Sequence, residues 1–96
     1  ASLETARRLA EDNPDSAQAR RDLSVSQEKI GDFYLRRGAA GDEARALAAY
    51  EASLETRRRL AEDNPESAEA RRDLLVSLVK LGQFALNAKN MDAAQA

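Results

Sequence analysis

The chain has 96 residues, with 15 Lys and Arg against 17 Asp and Glu, and it contains no Cys, His or Trp. That inventory excludes disulfides, thiolate and imidazole chemistry and the commoner zinc sites, and the length leaves room for one small core but no large catalytic cleft. The opposite charges are interleaved rather than sorted into blocks, which disfavours nucleic acid as a partner, and no apolar run approaches a membrane span.

In chain order, residues 1–12, "ASLETARRLAED", predict an amphipathic helix with Leu3, Ala6, Leu9 and Ala10 on one stripe. Its charges run throughout, so it does not look like a secretory signal. "DNPDS" at 12–16 predicts a turn whose Ser16 caps the next helix. Over 16–37, Ala19, Leu23, Ile30, Phe33 and Tyr34 recur in steps of three and four, which predicts a second helix. "RGAAGD" at 37–42 is a second turn. A helix over 42–63 carries Leu47, Tyr50, Leu54 and Leu60, and "DNPES" at 63–67 turns the chain again, with Ser67 as the cap. A helix over 67–88 carries Ala70, Leu74, Leu78, Leu81 and Ala85, and 91–96, "MDAAQA", reads as the start of one more. No β-branched alternation suggests a strand, so the expected fold class is all-α.

The chain repeats itself at an offset of 51 residues, where Ser2 matches Ser53, Pro14 matches Pro65 and Gly31 matches Gly82. Of the 37 positions in 2–38 compared with 53–89, 12 differ and 25 are identical. Such a repeat means supersecondary units whose apolar faces are buried by their neighbours. The copies disagree most just after the shared phrase, at Gln27/Leu78, Glu28/Val79, Asp32/Gln83 and Arg36/Asn87, and binding information is expected there.

Within each period, Gln27, Ile30, Gly31 and Tyr34, followed by Ala46, Tyr50 and Pro65, resemble the tetratricopeptide pattern W-x2-L-G-x2-Y, A-x3-F, P. The second repeat offers Leu78, Leu81, Gly82, Ala85 and Ala94. The family period is about 34 residues, and the excess fits a three-residue insertion in "RGAAGDE" plus about two extra turns, roughly 10 Å, on each helix. The resemblance implies antiparallel hairpins stacked as an α-solenoid, cut from a longer array. It further implies a concave groove lined by Val25, Glu28, Asp32, Leu35 and Arg36 in the first repeat and Val76, Val79, Gln83, Leu86 and Asn87 in the second. Family members that clamp a peptide carboxylate carry Lys and Asn where Glu28 and Asp32, or Val79 and Gln83, stand, so an amphipathic or basic segment is the expected ligand.

Chemistry is otherwise sparse. "ARRDL" at 19–23 and 70–74 reads as a solvated helix face before it reads as an anion site, because Asp22, Asp73 and Glu69 stand beside the arginines. Gly31 and Gly82 lack the neighbours of a phosphate loop and read as close approaches of a partner helix. Glu28 and Asp32 lie four apart on one helix face without a third ligand, which favours a solvated or ligand-facing pair over a metal or acid–base site. No catalytic, cofactor-binding or metal-binding residue is expected.

The expected function is a non-catalytic protein-interaction scaffold in the cytoplasm, of bacterial origin on its Arg- and Ala-rich composition, taking a protein or peptide and no membrane. The alternative is a homo-oligomer formed through the terminal helices, with Leu3, Ala6, Leu9, Ala10, Met91 and Ala94 as the stacking residues.

Overall fold

A computed structural model describes residues 2–95, and the side-chain surroundings of 2–87. Four packed α-helices make up the described chain, with no strand among them: α1 (Leu3–Asp12), α2 (Ala17–Arg37), α3 (Asp42–Asp63) and α4 (Ala68–Gln95). None is long and apolar enough to cross a membrane.

The joints follow from local chemistry. Ser2, Ser16 and Ser67 each accept a hydrogen bond at Oγ from the backbone N–H three residues on, at Thr5, Ala19 and Ala70. Each bond satisfies a donor that the first helical turn leaves without a partner. Asn13 and Asn64 close the preceding helices, bonding Leu9 and Leu60 carbonyls through both backbone N–H and side-chain amide. The doubled "DNP-S" phrase is therefore one connector used twice. Between α2 and α3 the turn needs left-handed backbone at Gly38 (φ 63°) and Gly41 (φ 82°), which glycine adopts without a Cβ clash.

Each helix packs on the next one in the chain, α1 on α2, α2 on α3 and α3 on α4. The α2–α3 pair is antiparallel: Arg20 meets Asp63, Ser24 meets Ser53 and Asp32 meets Tyr50. The four helices spread over 48 × 27 × 13 Å, one layer thick. Such a layer has little interior, and the buried apolar set is Ala6, Ala10, Ala46, Tyr50 and Leu60. Ser24, Asp42, Ser53, Arg57 and Ser77 are buried with them. No buried side-chain polar atom among the described residues lacks a hydrogen-bond partner, as burial without a large cost requires.

Two expectations need correcting. The break expected between 88 and 91 is not there, and α4 continues to Gln95. Ala88, Lys89, Asn90 and Met91 include no Gly or Pro, whereas the corresponding turn of the first repeat has Gly38 and Gly41. Ala6 and Ala10, expected to be bare at the end of the stack, are buried. Of the stripe on α1, Leu9 is half-exposed and Leu3 partly so. Met91 and Ala94 lie outside the residues whose side chains are described.

Candidate functional site

Arg57 of α3 organises the middle of the layer. Its side chain is 4% exposed and donates to Glu28 Oε1 at 2.8 Å, Ser24 Oγ at 3.2 Å and Ser77 Oγ at 2.8 Å, so one guanidinium ties α2, α3 and α4 together. The planar fork of this buried Arg finds a carboxylate and two hydroxyls at once, which satisfies its donors. One turn further along, the Tyr50 hydroxyl donates to Asp32, and Lys80 of α4 donates to the same carboxylate at 2.9 and 3.1 Å while lying 5.6 Å above the Tyr50 ring. Burial pushes the Asp32 carboxyl up, but the bonds from Tyr50 and Lys80 outweigh it and hold the group below its ordinary range. Burial and the Asp32 charge together raise the Tyr50 phenol.

These contacts overturn the picture of Glu28 and Asp32 as a solvated or ligand-facing pair: both are consumed inside the molecule. Arg57 pairs with Glu28 and Lys80 with Asp32, so neither carboxylate is left to recognise a basic segment. Arg21 behaves similarly. It donates to Asp73 at 2.8 Å and lies 3.3 Å from Glu69, bridging α2 to α4 rather than facing solvent alone. No sequence periodicity marks Arg57 as buried. The available signal was the repeat itself, since Arg57 stands where the first repeat has Ala6.

The predicted groove residues do not form one surface. Val25 is half-buried, Glu28 and Asp32 face α3, and Leu35 and Arg36 are exposed near the end of α2. Leu35, Gln83 and Asn87 do come together. They line a pocket of about 570 Å³ beneath the Gly38–Gly41 turn, with Tyr34, Tyr50 and Phe84 forming its apolar wall and Lys80 at its edge. Phe84 sits edge-to-face with Tyr50, centroids 6.3 Å apart.

The largest apolar exposure lies elsewhere. Leu75 (60%), Leu78, Val79 and Leu86 (58%) follow one another at steps of three, one and seven, with Gly82 between them, on the side of α4 turned away from α3. Val76 flanks them. Shifted by 51 residues, these positions are Ser24, Gln27, Glu28, Leu35 and Gly31, four of which α3 covers on α2. The contrast at glycine is sharp. A Cβ on Gly31 would come within 2.7 Å of the Tyr50 ring, whereas one on Gly82 meets nothing within 4 Å. The close approach expected at both glycines is present at Gly31 alone. The stripe on α4 is thus the repeat-equivalent of an occupied helix-docking face, with its polar contacts replaced by Leu and Val. No protein-family model, curated protein or solved structure matches the chain.

Proposed function

We propose that the chain is a non-catalytic protein-interaction module of tetratricopeptide-like, solenoid character, and that it takes up an amphipathic helix of another polypeptide on the open face of α4. The helix lies there as α3 lies on α2. The observation that carries this is the uncovered stripe Leu75–Leu78–Val79–Leu86 at positions whose first-repeat counterparts support a packed helix. Contiguous exposed Leu and Val on a small chain mark an interaction site, and helix-in-groove recognition reads apolar anchors at steps of three and four. Leu78 and Val79, standing where α2 has Gln27 and Glu28, favour an apolar residue in the incoming helix at the place of Arg57. The titratable groups buried in the layer are bonded to one another, which supports a binding role over a chemical one.

A peptide of residues 42–63 with Arg57→Leu is the probe. Titrated against the chain by fluorescence anisotropy, it should bind saturably, and Leu78→Glu in the chain should weaken it about tenfold by placing a charge in a desolvated contact. Absence of saturable binding, or equal binding by the Leu78→Glu chain, would remove this function.

A further inference from the structure

The repeat specifies more than a generic helix for this face. The α1 helix (Leu3–Asp12) is the 51-residue counterpart of Leu54–Asp63, the half of α3 that packs across α2 and α4. In α3 that half has helices on both sides, and Leu60 is 5% exposed; in α1 one side is open, and the matching Leu9 is 51% exposed. The described helices therefore present two complementary half-joints, an α1–α2 unit with an open flank and an α4 with an open face.

We propose that the partner of the α4 face is a second molecule of this chain, docked head to tail, with its α1 and α2 placed on α4 as α3 and α4 are placed on α2. This rests on α4 being the docking face and names what docks there.

Carrying the internal joint across the interface gives each contact a counterpart. Arg20 donates to Asp63 at 2.7 Å within the molecule, and the matching pair is Arg71 with Asp12 of the second molecule. Arg21 donates to Asp73 at 2.8 Å, and the matching pair is Arg72 with Asp22 of the second molecule. Arg71, Arg72, Asp12 and Asp22 are all exposed. Neither Arg72 nor Asp12 has an ion-pair partner among the described residues. At the centre of the internal joint the buried Arg57 sits on Ser24 and Glu28. Its counterpart is Ala6, which is already buried within its own molecule, so Leu75 and Val79 take up the volume that the guanidinium fills over Ser24 and Glu28. A long charged side chain over two small or acidic ones is exchanged for a short apolar one over two branched ones, so volume and charge change together on both sides of the joint. Thr56 on Gln27 becomes Thr5 on Leu78. This docking covers Leu75, Leu78 and Val79.

The interface is heterologous: each molecule uses one surface at its α1 end and another at its α4 end. Such contacts add molecules in series instead of closing at a dimer.

Light scattering over a concentration series tests it on the chain itself. The weight-average mass should rise past the dimer without a plateau. Arg72→Asp and Asp22→Arg, both solvent-facing changes, should each shift the curve to about fivefold higher concentration. The combination of R72D with D22R in one chain should restore association, because the two reversed charges meet across the interface. A monomer at every concentration, a plateau at the dimer, or a double variant no better than the single ones overturns the proposal. If the chain stays monomeric and still binds the 42–63 peptide, the second molecule is wrong while the docking face stands. If it does neither, both fall.

Discussion

Gly31 and Gly82 hold the same place in the repeat and different places in space. A methyl group at residue 31 would press within 2.7–3.0 Å of three ring atoms of Tyr50, whose hydroxyl is tethered to Asp32 and cannot swing away without losing that bond. Gly31→Ala should cost about 2 kcal/mol as overpacking. Gly82→Ala meets open space and should gain roughly 0.5–1 kcal/mol, the ordinary difference between Ala and Gly in a helix. Urea midpoints measured on the monomer check the pair, and shifts of the same sign would rule out the close approach. The reason for Gly31 is legible in the sequence, because an isolated helix glycine with no phosphate-loop neighbours leaves a packing role. The difference between the two glycines is not legible, since periodicity says which residues share a face and not which face has a neighbour. Glu28 and Asp32 fail to be read for the same reason. Two carboxylates four apart look solvated until Arg57 and Lys80 are seen to arrive from helices far away in the chain.

The α2–α3 corner shows how an element boundary is made from charge. Asp42 is buried at the head of α3. It accepts a fork from Arg37 at 2.7 and 2.7 Å, the Ala39 backbone N–H at 3.0 Å and Arg45 at 3.0 Å. The Arg37 fork holds the Asp42 carboxyl well below the usual range, overcoming the burial that pushes it up. An acid at a helix N-terminus is further favoured by the helix dipole. Since the folded value lies below the unfolded one, the stability it contributes is complete above the ordinary carboxylate range and is lost as pH falls through it. Tyr50 is the opposite case. Its folded value is raised, so its contribution is complete below the ordinary phenol value near about 10 and is lost as pH rises beyond it. Urea midpoints against pH should show a plateau between about pH 5 and 9. Asp42→Asn should shallow the acid limb, with Asp32 and Glu55, both also held low, supplying the remainder. Tyr50→Phe should flatten the alkaline limb, and an alkaline limb unchanged in that variant would show that the phenol does not set it. Helical character and the Ser-capped joints were open to reading, because steps of three and four and the "DNP-S" phrase are local. The uninterrupted run of α4 to Gln95 was missed because the repeat suggested a turn that the residues at 88–91 do not encode.

Across the molecule, backbone packing joins helices that are neighbours in the chain, with side-chain bridges from Arg21 and Lys80 linking α2 to α4, so α2 and α3 are flanked on both sides while α1 and α4 are each flanked on one. Hydrogen exchange should be slowest in the facing halves of α2 and α3 around Ser24, Ser53 and Arg57, and faster in α1, because protection follows the number of packed neighbours that must open. Uniform protection along the chain would instead mean that the layer opens as one unit. The all-α class follows from the sequence, but the polar character of the interior does not. A layer 13 Å thick closes over a few alanines and serines, Tyr50, Leu60, Asp42 and Arg57. The connectors between helices are four residues each, and helix packing joins chain neighbours apart from the α2–α4 bridges Arg21–Asp73 and Lys80–Asp32. Folding then rests mainly on short loop closures made one after another, so the chain should reach its native state within about a millisecond or less. Each hairpin can form as soon as its two helices have been synthesised, before the rest of the polypeptide exists.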